Sequence, residues 1–239
     1  MIGPDFIIIG FPKCGTTSLV ENLEKHSKIN MFYVVGNKES VFFHSNQMYK
    51  FGEDFYKDKI IEGKINGEKN PTYIWDHITC MNIKRNLPNV KVIISLRNPV
   101  DYLYSWYHQV HVNSQCGDPE CNECNKDIPT FEEFINEPLQ IKNSLYINHI
   151  IRAIDIFGKE NILFFIQEDY EKDSQKELDK IFKFLNIPSE NLKSIVKFKG
   201  ERPHGDMTIE MREKLVKRYR SHNSALFKIL GFEIDSWNK

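Results

Sequence analysis

No apolar run in this 239-residue chain approaches the roughly 20 residues that a membrane-spanning helix needs. The opening MIGPDFIIIG lacks a basic segment ahead of its short apolar run, so it does not read as a signal peptide. Charge of either sign is also lacking in excess: 32 Lys and Arg stand against 33 Asp and Glu, a net charge of −1. That balance gives no global field for nucleic acid or a membrane surface. Cysteines are few and odd in number, five in all, which does not suit a complete disulfide framework. There is no internal repeat, linker or low-complexity tract. The expectation is one domain over 1–239, since a chain of this size with 41% hydrophobic residues can bury one sizeable core.

What is present reads as strands alternating with helices. Phe6 to Ile9 is an apolar run ending at Gly10, a buried parallel strand by length and type. Leu19, Val20 and Leu23 share a helix face after it. Ile29 to Val35 and Asn161 to Ile166 read as further strands, and Val90 to Leu96 as the clearest one. Helices are expected over Ile74–Leu87, with Ile74, Ile78 and Met81 at helical spacing, and from Pro99 through His111. A core stripe of Ile147, Ile150, Ile151 and Ile154 ends at Gly158, and Leu178, Ile181, Phe182 and Leu185 repeat that spacing. Two helical stretches follow, Thr208–Tyr219 and Ala225–Leu230. Such alternation predicts an α/β fold, a central parallel sheet flanked by helices.

The turn after the first strand, Gly10-Phe-Pro-Lys-Cys-Gly15-Thr-Thr, has the glycine spacing of a phosphate-binding loop. Backbone N–H groups and a helix N-terminus at such a turn face phosphate oxygens. A lysine straight after the second glycine is missing, and Lys13 comes earlier instead. No apolar strand ends in the acidic residue that would help to hold magnesium; Val90 to Leu96 runs into Arg97. The loop suits phosphate without a magnesium triphosphate, which argues against a kinase. Between Lys193 and Lys228, ten Lys or Arg face four Asp or Glu, a stretch that either meets an anion or is a solvated helix face. The segment 113–129 reads as a loop in which Cys116, Cys121 and Cys124 admit two readings: a zinc site completed by His108 or His111, or one disulfide.

Pro-Lys-x-Gly-Thr-Thr at 12–17 resembles the 5′-phosphosulfate loop of sulfotransferases that use 3′-phosphoadenosine 5′-phosphosulfate (PAPS). Arg97-Asn-Pro-Val-Asp-Tyr-Leu-Tyr-Ser105 resembles their 3′-phosphate motif, an arginine with a serine eight residues on. The likeness extends to the heparan glucosaminyl 3-O- and N-sulfotransferases. Glu39-Ser-Val-Phe-Phe43 is similar to their Glu-x-x-Phe-Phe, Glu68-Lys-Asn-Pro-Thr-Tyr73 to Glu-Lys-[Thr/Ser]-Pro-x-Tyr, and Lys199-Gly200 with Arg202 to a late Lys-Gly-Arg loop. Thr17, Val41 and His44 depart from that branch at positions that help to seat its sugar, and Glu201 is an insertion in the late loop.

The resemblance implies a sulfotransferase with PAPS as donor and no metal required. Glu39 is expected as general base, Lys13 as the cation on the bridging oxygen, and Lys69 as a second cation, with Glu68 as a rival, purely structural partner for it. Donor-binding positions are Lys13, Cys14, Gly15, Thr16, Thr17, Ser18, Arg97, Ser105, Lys199, Gly200 and Arg202. His44 and Lys69 are candidates for the acceptor, which is either a saccharide or a small natural product. Trp106 and Tyr107 read as core in preference to an adenine platform. No nucleic acid is expected as a partner. The expected location is cytoplasmic, or else the chain is a lumenal catalytic fragment of a longer Golgi protein.

Overall fold

The computed structural model describes residues 2–33, 39–44, 53–114, 129–192 and 207–238. Residue contacts divide the chain into two units, Met1–Leu96 with His149–Lys197, and Arg97–Asn148 with Phe198–Lys239.

The first unit is built on a five-stranded sheet in the order β2-β3-β1-β4-β5. Its strands are β1 (Phe6–Gly10), β2 (Ile29–Met31), β3 (Ile65–Lys69), β4 (Lys91–Leu96) and β5 (Ile162–Ile166). All four pairings are parallel. Every residue of β1 is buried, which is why FIIIG carries no polar alternation: both of its faces are covered. On one face Phe6, Ile8, Ile93 and Phe165 pack against α1 (Thr16–Leu23) and α8 (Ser174–Leu185) through Leu19, Leu23, Leu178 and Phe182. Between β5 and α8 lies a short α7 (Gln167–Lys172).

Three local departures from expectation have local causes. The strand β3, sequence INGEK, was not expected, because its composition is polar. The ring of Phe6 lies where a Cβ on Gly67 would be, so only glycine lets β1 and β3 approach. Helix α2 is shorter than expected, His77–Asn86, because Asp76 caps it by accepting from the Ile78 N–H at 3.0 Å. That cap fixes the helix phase so that Thr79, Cys80 and Ile83 are buried, while Ile78 and Met81 are exposed. In α6 (Tyr146–Phe157), Ile150, Ala153 and Phe157 are buried and Ile151 is exposed, so the expected isoleucine stripe is only partly core.

The second unit holds α3 (Pro99–Ser114), α4 (Phe131–Phe134), α5 (Pro138–Ser144) and α9 (Ile209–Leu230). Asn98 caps α3, its side chain accepting from the Val100 N–H at 3.0 Å. The two late helices expected separately are one continuous helix, α9, closed by Gly231 in the left-handed region at φ 86°. The polar SHNS stretch stays helical because Asn223 turns inward and donates to the Trp237 carbonyl, satisfying its amide in the interior. Trp106 is half-buried with Nε1 donating to Gln140, and Tyr107 is buried with its hydroxyl on the Pro129 carbonyl. Tyr107 is a packing residue, as expected.

Candidate active site

In a parallel sheet the crevice at the carboxyl ends of the strands is where ligands bind. β1 and β3 run in register with Ile8 opposite Lys69, so the loop after β1 and the residues after β3 emerge from the same edge.

The first of these is the loop 11–15. Lys13 adopts a left-handed backbone at φ 60°, an unfavourable conformation for a residue with a Cβ. The loop is fixed from below: Phe11 N–H donates to Ser95 O at 2.7 Å, and the Ser95 hydroxyl donates to the Cys14 carbonyl. Gly15, at φ 78°, precedes α1, whose first turn has neither a side-chain cap nor an acidic residue. No acidic residue of that first turn opposes the dipole of the helix N-terminus. Thr16 and Ser18 are buried and Thr17 is exposed. Cys14 is fully buried, so its backbone is what it offers a ligand. Gln167 was missed from sequence. Its side-chain oxygen occupies the place where a Cβ on Gly15 would go, 1.5 Å from that position.

The second group hangs on β3. Ser40 N–H donates to Lys69 O at 2.9 Å, which holds segment 39–44 beside the strand. Lys69 Nζ lies 3.3 Å from Glu39 Oε1, with the lysine 1% and the glutamate 34% exposed. The rival partner, Glu68, is absent from this pair, since consecutive strand residues point to opposite faces. Asn70 donates to Ser40 O and accepts from the Thr72 N–H at 2.9 Å, tying the two segments a second time. His44 Nε2 sits 3.2 Å from Thr72 Oγ1, with its ring edge-on to Tyr73. Burial lowers the His44 pKa, opposed by Asp76 and Glu39.

Behind this layer lies a cluster that the sequence did not announce. Glu68 is fully buried and accepts from Tyr56 Oη at 2.7 Å. Burial pushes its carboxyl up to about 7, while the Tyr56, Ser40 and Tyr73 hydroxyls pull it back. Phe43 N–H donates to Tyr73 Oη at 3.2 Å. Phe42, Phe43, Phe55 and Tyr56 pack ring on ring around the cluster.

In the second unit, Arg97 follows the last residue of β4, and Ser105 is half-buried in the second turn of α3. His108 and His111 are buried against the rings of Tyr104 and Tyr107. Of the basic stretch, Arg212 pairs with Asp101, and Lys214 pairs with Glu132 at 2.7 Å. Lys199, Gly200, Arg202 and the three late cysteines lie outside the described residues. Among the described residues no group of three or more His, Cys, Asp or Glu is arranged to hold a metal ion.

A family model described as sulfotransferase domain matches residues 3–199. The chain is 25% identical over 260 residues to the bifunctional heparan sulfate N-deacetylase/N-sulfotransferase 1 of Caenorhabditis briggsae, a match covering 95% of the chain and 30% of that protein. It is 26% identical over 197 residues to the heparan sulfate glucosamine 3-O-sulfotransferase 5 of Mus musculus, covering 77% of the chain and 54% of the relative. The chain thus spans about a third to a half of the length of these relatives. A crystal structure of a sulfotransferase from Alicyclobacillus acidocaldarius shares the fold, with a TM-score of 0.77, 23% identity and all of both chains covered.

Proposed function

Because the chain belongs to the sulfotransferase domain family, we propose that it moves the sulfuryl group of PAPS to a hydroxyl or amine of a saccharide acceptor. The observation that carries this reading is the Glu39–Lys69 pair, a carboxylate and a buried ammonium 3.3 Å apart, with Lys69 on the strand next to the one that precedes the loop 11–15. The saccharide is supported by the two relatives, whose names place heparan sulfate as their substrate. The domain reading that goes with it is a single sulfotransferase domain over 1–239.

Transfer of this kind is in-line and loosely bonded, so it depends on positioning and on charge stabilisation. Glu39 takes the proton of the acceptor as the acceptor's oxygen or nitrogen bonds to sulfur. The bond from sulfur to the bridging oxygen breaks, and adenosine 3′,5′-bisphosphate leaves with the bonding electrons. Lys13 steadies the charge that builds on that oxygen, and Lys69 steadies the sulfuryl oxygens. The N–H groups of Cys14 to Ser18, with the hydroxyls of Thr16, Thr17 and Ser18, hold the 5′-phosphate. Arg97 and Ser105 are assigned to the 3′-phosphate, for which a forked guanidinium is suited. Lys199, Gly200 and Arg202 are assigned to closing over the nucleotide, and His44 to the acceptor. No step calls for a metal.

The test has two arms. Adenosine 3′,5′-bisphosphate should raise the melting temperature by linkage, by about 2.7 kcal/mol of stability at 100 times its Kd, while ATP with magnesium should not. Labelled PAPS with a panel of N-acetylated and free-amine saccharides, small alcohols and phenols should label a saccharide. Stabilisation by magnesium ATP alone would replace this reading with a kinase.

A further inference from the structure

We propose that Glu68 is a positioning residue: its buried carboxyl, ringed by hydroxyls, locks the segment that carries Glu39 against Lys69 and ties turnover to its own ionisation. The inference rests on the assignment of Glu39 as the base.

The geometry is a clamp of two residues on two. In β3, Glu68 and Lys69 are consecutive, so their side chains leave opposite faces of the strand. In the facing segment, Glu39 and Ser40 are consecutive as well. Lys69 takes Glu39 on one side, at 3.3 Å. Glu68 accepts from Tyr56 at 2.7 Å on the other, with the Ser40 and Tyr73 hydroxyls beside it, and the Ser40 N–H to Lys69 O bond at 2.9 Å runs between. Ser40 is fully buried, so no water competes for these contacts. A second line reaches the same segment: Phe43 N–H donates to Tyr73 Oη at 3.2 Å, and Tyr73 lies beside Glu68. The carboxyl thus holds the 3₁₀ turn Glu53–Tyr56 directly, by the 2.7 Å bond from Tyr56, and reaches the segment 39–44 through its neighbours Ser40 and Tyr73.

The charge state of Glu68 sets how these contacts are made. An ionised carboxylate only accepts, so all three hydroxyls can donate to it. A neutral carboxyl must itself donate, and one hydroxyl is then displaced. Each of the three hydroxyls favours the ionised form, whereas complete burial opposes it and holds the change of state near neutrality. Glu68 Oε1 has no well-formed hydrogen bond among the described residues, so one oxygen is poised for the change. Other charges around it are few. From β1 the residue opposite is Ile7. The Lys69–Glu39 pair is on the far side of β3. Tyr56 and Tyr73 keep their protons, because burial drives both phenols far up. His44 stands behind the Tyr73 ring, 5.0 Å away.

Turnover should therefore rise as pH rises through about 7, as Glu68 ionises and draws the three hydroxyls onto itself. The experiment is the pH profile of kcat for the wild type, Glu68→Gln and Tyr56→Phe, with PAPS and the accepted saccharide. The Glu68→Gln variant should lose the inflection and sit roughly tenfold below wild type at pH 8, as expected for a hydrogen bond to a charged group, with KM for PAPS unchanged. Tyr56→Phe, which keeps the ring and removes one donor, should move the inflection upward. A wild-type rate and inflection in Glu68→Gln, or an unmoved inflection in Tyr56→Phe, overturns the proposal. If no acceptor is ever labelled, the functional reading fails first, and the clamp is judged without turnover. The melting-temperature shifts of Glu68→Gln and Glu39→Gln should then fail to add in the double variant, since both act on one segment. Additive shifts overturn the clamp on their own.

Discussion

Replacing Gly15 by alanine probes the phosphate loop at its tightest point. Two costs can be worked from the structure. The backbone at φ 78° is in the left-handed region, which costs a residue with a Cβ roughly 1–2 kcal/mol. The new methyl group would stand 1.5 Å from Gln167 Oε1, 2.5 Å from its Cδ and 3.0 Å from its Nε2, so the amide must leave. It does not leave freely. Gln167 is 7% exposed and its Nε2 donates to Glu171 at 2.9 Å. Overpacking of this kind costs about 1–3 kcal/mol. The sum is about 2–5 kcal/mol, and a chain of this length loses roughly 2–4 °C of melting temperature per kcal/mol. The assay is urea unfolding of four proteins: wild type, Gly15→Ala, Gln167→Ala and the double variant. Gln167→Ala removes the clash and leaves the backbone cost, so the double variant should be more stable than the two single effects predict, by at least about 1 kcal/mol. Bisphosphate binding should stay weak in Gly15→Ala and recover in the double variant. A loss under about 0.5 kcal/mol in Gly15→Ala, or strict additivity, would refute the contact and with it the packing of α7 on the loop.

Lys13→Ala should lower kcat by two orders of magnitude or more while the fold persists, the loss of a main electrostatic donor being worth roughly 2.7–4 kcal/mol; near-normal turnover would remove Lys13 from the chemistry. Stability should also carry a pH signature of Glu68. Its pKa rises on folding from 4.5 to about 7, so between those values the folded state holds more protons, and stability falls as pH rises through the window. The fall is at most about 3 kcal/mol. His44 slopes the other way, since burial lowers its pKa, so the comparison is wild type against Glu68→Gln at pH 5 and pH 8. Equal slopes in the two proteins would contradict a buried, titrating Glu68.

The sequence announced what repetition of apolar residues can announce. β1, β4, α1 and α8 were legible because Phe6 to Ile9, Val92 to Leu96, and the Leu178, Ile181, Phe182 and Leu185 set are buried just where their spacing requires. The loop and the Glu39 and Lys69 motifs were legible as motifs, yet their pairing was not, because it depends on which face of a strand each residue takes. β3 escaped because its polar groups are satisfied locally, out of sight of periodicity. Asn66, for example, accepts from Asn30 Nδ2 and from the Ile61 N–H, and donates to the Lys64 carbonyl. Helix α2 was given the wrong face because its phase comes from one cap, Asp76, and not from Ile78 and Met81. Gln167 had no signal at all, since a single glutamine after a strand is ordinary until the chain brings Gly15 against it.

The strand that periodicity could not find is the one that carries Lys69, the partner of Glu39, and the two facts have one cause. An ammonium and a carboxylic acid at 1% and 0% exposure in adjacent positions of a sheet are costly to desolvate. A strand chosen for stability alone would place Val or Ile there, as β1 does. The two groups persist because each has a partner: Glu39 for the ammonium, and the Tyr56 hydroxyl for the acid, with the Ser40 and Tyr73 hydroxyls beside it. Such satisfaction also rigidifies, since none of these groups can rotate away without leaving a buried charge or dipole alone. A loosely bonded transfer draws its rate from groups held in place beforehand. The same burial that makes INGEK a poor strand by composition therefore makes it a good mount for Lys69, and it is at such locally inconsistent positions that function is expected.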